Sequence, residues 1–346
     1  MFIYYMNPLE FEKYVKDMSL NSGFTKLMEK LLHSSKNELR DTPVTYLGEG
    51  KNGKVFRIGE NTTIKLLKNI NLYCEINNEY VKLCSPFYHE VTNGMILHNT
   101  RVEEKCPNFP ELKGAYYTNN TGIIVRDYSD FVFSDFLKST NYEKIINNLI
   151  MQYFLTIALL HAKYQSNIMD NKFANIYVKK TNAKKLVYNI ENKKYEIECF
   201  GYVIVIGDYG SCRFNYPTKT HFVQIYKYIE SKYLKIPVFE LESFQKWKKN
   251  KPLNEIKKRE LRIEKGKQIY LIGLFNPYLE HVFFMSMLLA FSNDNNRNFP
   301  IIDKYCRLTN YNRSGFALLR KNILLVDIIA AFAKDYNIQI TPKTSP

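Results

Sequence analysis

The most informative part of the chain runs Asn167-Ile168-Met169-Asp170-Asn171-Lys172-Phe173-Ala174-Asn175-Ile176-Tyr177-Val178. It follows residues 145–162, whose apolar positions recur at helical spacing and predict a long helix. Downstream, the apolar run Tyr202–Ile206 predicts a strand, and Asp208-Tyr209-Gly210 comes directly after it. Each of these pieces alone is common in loops, so their meaning depends on the rest of the chain.

A glycine-rich stretch, Gly48-Glu49-Gly50-Lys51-Asn52-Gly53-Lys54-Val55, lies nearer the amino terminus. The β-branched and aromatic runs at 44–47, 55–58 and 62–67 predict an antiparallel meander around it. The glycines therefore join two strands, whereas dinucleotide-binding and Walker-type phosphate loops need a helix directly after them. A flap between two strands would let backbone amides lie over a triphosphate, although an ordinary glycine-rich hairpin explains this motif alone equally well.

Together, these motifs resemble those of the protein kinase family. Asp170, Lys172 and Asn175 match its Asp-x-Lys-x-x-Asn catalytic loop, and Asp208-Tyr209-Gly210 matches its metal-binding Asp-Phe-Gly. The resemblance implies that Asp170 orients the substrate hydroxyl and accepts its proton, and that Lys172 neutralises charge on the γ-phosphoryl group. It also implies that Asn175 and Asp208 hold Mg²⁺, or Mn²⁺ in its place, against the phosphates of ATP. The glycine-rich stretch would then cover those phosphates.

Lys65, near the end of the strand after the glycines, stands where a kinase places the lysine that pairs with the α- and β-phosphates. Such a lysine needs a carboxylate to orient it, and the segment 72–83, which is predicted to be helical, offers Glu75 and Glu79 one turn apart. We expect Glu79 to be the partner, because apolar residues suited to a packed helix follow it. A solvent-facing role for either glutamate stays open.

Two further segments carry the resemblance at lower specificity. Residues 123–128 resemble the strand that enters the kinase hinge, so the adenine is expected against Asp127, Tyr128 and Ser129. The apolar segment 278–291 resembles the central helix of the large kinase lobe, with Glu280 where kinases usually carry aspartate.

The fold implied by the resemblance is α+β and bilobed. A small antiparallel β-rich lobe would span residues 44–126, and a larger, mainly helical lobe would span residues 127–346. Residues 1–43 lie outside the resemblance, and their apolar spacing predicts an amino-terminal extension of one or two helices.

The chain also departs from the family. Ile168 and Met169 replace the usual His and Arg before the catalytic aspartate, and no Ala-Pro-Glu follows the Asp-Tyr-Gly. Without that Arg, we expect activity that does not depend on activation-loop phosphorylation. The 38 positions from Asp170 to Asp208 are about twice the usual interval, and the polar residues 179–201 predict an inserted hairpin. The amino-acid composition is also typical of AT-rich genomes. Together with these departures, it makes the chain resemble the divergent serine/threonine kinases of large DNA viruses, poxvirus-like ones among them.

Composition limits the class of protein. The 346 residues are 45 % hydrophobic, which is enough for a full core and excludes a mainly disordered chain. The longest apolar stretch, residues 282–291, is about half of what a bilayer crossing needs, and no export signal is visible. Six scattered cysteines without metal-type spacing favour a reducing compartment. We therefore expect a cytoplasmic protein, in the host cytoplasm or the virion if it is viral, with no membrane insertion.

The net charge of +15 includes a lysine-rich segment at residues 246–268. This segment could hold acidic substrate segments or nucleic acid, but a solvated helix face is the favoured interpretation.

The sequence thus predicts an ATP- and Mg²⁺-dependent serine/threonine protein kinase acting on protein hydroxyls. The resemblance implies serine and threonine rather than tyrosine as acceptors, because tyrosine kinases place the counterpart of Lys172 elsewhere in the loop. Two alternatives stay open: a pseudokinase that uses the fold as a binding scaffold, and a small-molecule phosphotransferase of kinase-like fold. A nucleic-acid-binding module, which rests on the charge alone, is a weaker third alternative.

Overall fold

The computed structural model describes residues 16–17, 26, 30–31, 33, 44–50, 53–68, 74–76, 79–81, 86–118, 121–140, 142–168, 172–208, 210, 212–213, 279–309 and 323–343. The strands in these ranges are β1 (Lys16–Asp17), β2 (Val44–Gly50), β3 (Gly53–Ile58), β4 (Thr62–Leu67), β5 (Cys74–Ile76), β6 (Glu79–Val81), β7 (Leu112–Thr118), β8 (Thr121–Asp127), β9 (Phe131–Val132), β10 (Asn167–Ile168), β11 (Ile176–Lys180), β12 (Lys185–Ile190), β13 (Lys193–Glu198), β14 (Tyr202–Ile206), β15 (Cys212–Arg213) and β16 (Ile338–Pro342). The helices are α1 (Pro86–Glu103), α2 (Phe133–Ser139), α3 (Glu143–Tyr164), α4 (Leu279–Asp294), α5 (Pro300–Thr309) and α6 (Leu325–Phe332), with a 3₁₀ turn at Phe173–Asn175. The α+β class predicted from the sequence is confirmed.

The largest sheet has the strand order β1-β7-β8-β4-β3-β2. The predicted meander is confirmed, because β2, β3 and β4 pair antiparallel in succession and β8 pairs with β4. Alternate side chains point to opposite faces of a strand. On one face Leu67 and Ile124 pack against α1, and on the other Leu66 packs with Phe56. Both faces of this sheet are therefore covered by apolar contacts.

The prediction of helix over residues 1–43 is wrong at Lys16–Asp17, which form β1 and pair in parallel with Tyr116 and Tyr117 of β7. The edge of β7 offers unpaired backbone groups, and pairing with them outweighs the apolar spacing of the segment. Lys26, Lys30, Leu31 and His33 are helical, as predicted, and Leu31 is buried against the sheet. The rest of residues 1–43 lies outside the described ranges.

The helix predicted over 72–83 is also wrong. Cys74–Ile76 and Glu79–Val81 form an antiparallel pair, and the helix comes later, as α1. Asn77-Asn78 is a turn sequence that favours a hairpin between these short strands. Pro86 suits a first helical position, since its fixed φ matches the helix and its missing N–H has no partner there.

The carboxyl-terminal part is built around α3, in which all side chains from Ile146 to Leu160 are buried. It is the one helix of the described ranges long and apolar enough to cross a membrane, but 83 % of its most apolar window is buried inside the protein. The predicted hairpin within residues 179–201 is confirmed as β12 and β13. The hairpin gains a third strand from β16, which pairs antiparallel with β13.

One position of the glycine-rich stretch, Gly53, requires glycine for a steric reason. A Cβ on Gly53 would overlap the carbonyl oxygen of Leu66 in the neighbouring strand, whereas a Cβ on Gly48 would meet open space. We expect Gly53→Ala to lower the free energy of unfolding by about 1 to 3 kcal/mol, because strands β3 and β4 must separate. Urea unfolding measures this, with Gly48→Ala as the matched control. Equal stability of the two variants would contradict the prediction.

Candidate functional site

Lys65 lies between two carboxylates. Its Nζ is 2.7 Å from both carboxylate oxygens of Glu90 and 3.1 Å from Oδ1 of Asp208. Strand β4 carries Lys65, helix α1 carries Glu90, and the segment after β14 carries Asp208. The pairing of Lys65 with Glu90, not Glu79, corrects the expectation from sequence. Glu79 lies in strand β6, and the side chains of Glu75 and Glu79 are outside the described part of the structure.

The charges in this cluster stabilise one another. Burial by itself would lower the pKa of the Lys65 ammonium, but Glu90 and Asp208 outweigh it and raise that pKa above its ordinary value. Burial would raise the pKa of the Asp208 carboxyl, but Lys65, followed by Arg126 and Lys172, lowers it. At neutral pH the site therefore presents a protonated lysine beside an ionised aspartate.

The backbone around Asp208 brings two predicted site residues to one edge. Strands β11 and β14 pair antiparallel, and the Gly207 N–H donates to the carbonyl oxygen of Asn175 at 2.8 Å. A Cβ on Gly207 would overlap the Tyr177 ring, so this position accommodates only glycine without displacing the ring. Asp208 has φ of +58°, a left-handed conformation that is uncommon outside glycine and concentrates at functional sites.

Asn175 and Asp208 fit the donor set that Mg²⁺ prefers, because an amide and a carboxylate supply hard oxygen ligands. Asn175 is buried in the 3₁₀ turn, whereas the Asp208 side chain is 34 % exposed. Among the described residues, no three His, Cys, Asp or Glu side chains cluster as metal ligands. A metal held here would therefore keep several coordination positions for water or phosphate, as Mg²⁺ usually does.

The predicted catalytic loop is described in part. Asp170 lies outside the described residues, and Lys172 is exposed directly before the 3₁₀ turn. A carboxylate oxygen of the buried Glu280, in α4, accepts the backbone N–H of Ile168 at the entry to the loop. Glu280 therefore anchors the backbone directly before the undescribed residues 169–171.

A cleft of about 540 Å³ is lined by Arg126, whose charge acts on both Lys65 and Asp208, but not by Lys65, Glu90 or Asp208 themselves. Leu47, Gly48, Glu49, Val55 and Thr63 of the sheet line one side, Ala174 and Tyr177 line the other, and Asp127, Tyr128 and Ser129 join them. Six residues predicted to bind ATP therefore line one cavity: Gly48, Glu49, Val55, Asp127, Tyr128 and Ser129. Of the other residues in the glycine-rich stretch, Gly50 is in β2, Gly53 and Lys54 are buried in β3, and Lys51 and Asn52 are outside the described ranges.

Asp127 has a second, structural role. Its carboxylate accepts hydrogen bonds from Nζ of Lys179 at 2.6 Å and from the backbone N–H of Glu111 at 2.8 Å. Nη1 of Arg101 lies 3.6 Å from Oδ2 of the same carboxylate. Its own N–H donates to the Glu111 carbonyl, and the Tyr128 N–H donates to the Asn61 carbonyl. Asp127 therefore ties β8 to β11 across the rear of the cleft, and both of these amides are already bonded within the protein.

Sequence reasoning missed three residues of the site. Glu90 was overlooked because the helix was predicted one hairpin too early, and Pro86 was the signal for its true start. Arg126 was included in a strand without a role, yet it is buried and lines the cleft. Tyr177 looked like an ordinary strand residue, but it forms part of the cleft wall.

The basic segment at 246–268 lies outside the described residues, so its predicted role stays a prediction.

In comparisons with known proteins, no model of a known protein family and no curated protein matches the chain.

Proposed function

We propose that this chain is an ATP- and Mg²⁺-dependent serine/threonine protein kinase with a divergent bilobed fold. One observation carries the proposal: a partly buried lysine, Lys65, is held between Glu90 and Asp208, and Arg126 links this cluster to a cleft that the glycine-rich strand also lines. This combination suits phosphoryl transfer, since charge stabilisation and positioning supply most of its catalysis.

Each proposed site residue has a role in phosphoryl transfer that its side-chain chemistry suits. Lys65, oriented by Glu90, would pair with phosphate oxygens, and Lys172 would approach the γ-phosphoryl group from the exposed side of the cleft. When bound to Asn175 and Asp208, Mg²⁺ would offset the negative charge of the phosphates. Asp170 would orient a serine or threonine hydroxyl and accept its proton as phosphorus is attacked.

The arrangement of elements supports the bilobed proposal. The six-stranded sheet and α1 would form the small lobe, and the part built around α3 and α4 would form the large one. The contact from Ile168 to Glu280 supports a catalytic loop that is held in place despite the missing His and Arg. We further propose that the protein is cytoplasmic and viral, because its departures from the kinase pattern resemble those of the divergent kinases of large DNA viruses.

The test is transfer of labelled phosphate from ATP with Mg²⁺ or Mn²⁺ to generic basic and acidic proteins. We expect phosphoserine and phosphothreonine from the wild type, and a loss of more than about a hundredfold in Asp170→Ala and Asp208→Ala. Asp294→Asn, an exposed change at the end of α4, is the matched control and keeps the activity.

Two outcomes would overturn the proposal. Nucleotide binding without any phosphate transfer would favour the pseudokinase alternative. The replacement of the usual His and Arg by Ile168 and Met169 is the sequence feature that supports this alternative. Transfer to small molecules but never to protein would favour a small-molecule phosphotransferase.

A further inference from the structure

Arg126 is a buried cation in the wall of the cleft. It is 8 % exposed, and it precedes Asp127 in β8, where its register partner is Thr63 of β4. Its guanidinium carbon lies 5.9 Å from the centre of the Tyr177 ring. Arg126 lines the same cavity as Thr63 and Tyr177, and it also borders a smaller cavity behind the sheet with Glu90. Its charge also acts on Lys65 and Asp208, so Arg126 lies where the cleft meets the ion-pair cluster.

The shape of the cleft indicates which part of a nucleotide meets Arg126. Val55 lies in the sheet on one side and Tyr177 in β11 on the other, so a flat base fits between them. One edge of that base would lie along Asp127, Tyr128 and Ser129. Since Arg126 lines the same cavity as these three residues, we place the neighbouring edge of the base against its guanidinium.

The chemistry of that edge distinguishes purines. Arginine carries only hydrogen-bond donors. Guanine presents two acceptors there, O6 and N7, and arginine pairs with both at once, whereas adenine presents a donor, its N6 amino group, beside N7. In a buried site, a donor facing a donor loses hydrogen bonds that water would have supplied. Arg126 therefore favours a purine with a carbonyl at C6.

On the basis of the proposed nucleotide site, we propose that Arg126 reads the purine base and that the chain accepts GTP and ITP as phosphate donors in addition to ATP. ITP is the cleaner probe, because hypoxanthine has the C6 carbonyl of guanine without its 2-amino group. Its comparison with ATP tests the edge that Arg126 would contact.

The experiment measures dissociation constants of Mg²⁺ complexes of ATP, GTP and ITP by calorimetry, with the full chain. We expect GTP and ITP to bind the wild type within about tenfold of ATP. Arg126→Met should lower the affinity for GTP and ITP relative to that for ATP by roughly ten- to a hundredfold, the range expected for loss of a bidentate arginine–guanine pair. Arg307→Met, an exposed change in α5, is the matched control and should change none of the three constants.

The outcomes separate this inference from the proposed function. Binding of ATP with ITP and GTP weaker by more than about a hundredfold would overturn the inference and leave the kinase proposal standing. An unchanged ratio of ITP to ATP affinity in Arg126→Met would also overturn it. Binding of no purine nucleotide by the folded wild type would overturn both. Because the wild-type comparison of ITP with ATP needs no variant, the test holds even if Arg126→Met does not fold.

Discussion

Glu90→Ala is expected to lower the rate of phosphate transfer about a hundredfold and the free energy of unfolding by about 3 kcal/mol. The side chains of Lys65 and Glu90 are 14 % and 5 % exposed, so truncation leaves a buried ammonium without its main partner. Lys65 would then be held by Asp208 alone, at 3.1 Å, and the aspartate would be drawn away from a metal. Both losses follow from one missing carboxylate.

Urea unfolding and the labelled-ATP assay measure the two effects. Glu103→Ala is the matched control on the same helix, since Glu103 is exposed and pairs with Lys163 at the surface, where an ion pair contributes about 1 kcal/mol or less. Glu90→Asp should restore part of the activity, because it keeps the charge on a shorter side chain. A hundredfold loss in Glu79→Ala with none in Glu90→Ala would refute the assignment.

The choice of Glu79 from the sequence, where the structure has Glu90, shows which parts of the fold local sequence patterns can predict. The strands of the meander follow from β-branched and aromatic residues between glycine and asparagine turns, so β2, β3 and β4 could be predicted. The helix could not be placed from spacing alone, because a short apolar run fits either a strand or a helix. Its register against Lys65 depends on how α1 packs on the sheet through Phe87 and Val91, which is a tertiary contact.

Buried polar residues were the least predictable part of the site. The apolar spacing of residues 145–162 predicts α3, but the same helix also buries Asn147, Asn148, Gln152 and Thr156. Sequence alone does not show that such residues face backbone groups of a strand distant in the chain. For the same reason Arg126 looked like one more residue of a strand, although its surroundings make it part of the cleft.

Gln152 shows what these buried groups do. Strand β14, which leads to Asp208, pairs with β11 along one edge. Along its other edge, Oε1 of Gln152 accepts the Ile204 N–H at 3.0 Å, and Nε2 donates to the Tyr202 carbonyl at 3.1 Å. The Asn108 side chain donates to the Ile204 carbonyl at 2.8 Å. Side chains thus replace a neighbouring strand and hold β14 at the depth that brings Asp208 to Lys65.

Gln152→Leu is therefore expected to lower the free energy of unfolding by about 2 to 5 kcal/mol, because two buried backbone groups of β14 lose their partners at about 1 to 3 kcal/mol each. Asn147→Leu is the matched control on the same helix. The Oδ1 atom of Asn147 is buried and accepts no hydrogen bond within the described residues, and its Nδ2 donates only to the Glu143 side chain on the same helix at 3.2 Å, so this substitution should change stability by less than about 1 kcal/mol. Urea unfolding compares the two variants, and the labelled-ATP assay on folded Gln152→Leu reports whether Asp208 has moved. Equal stabilities would mean that β14 is held by β11 alone, whereas a stability loss with full activity would mean that the polar edge supports the core and not the position of Asp208.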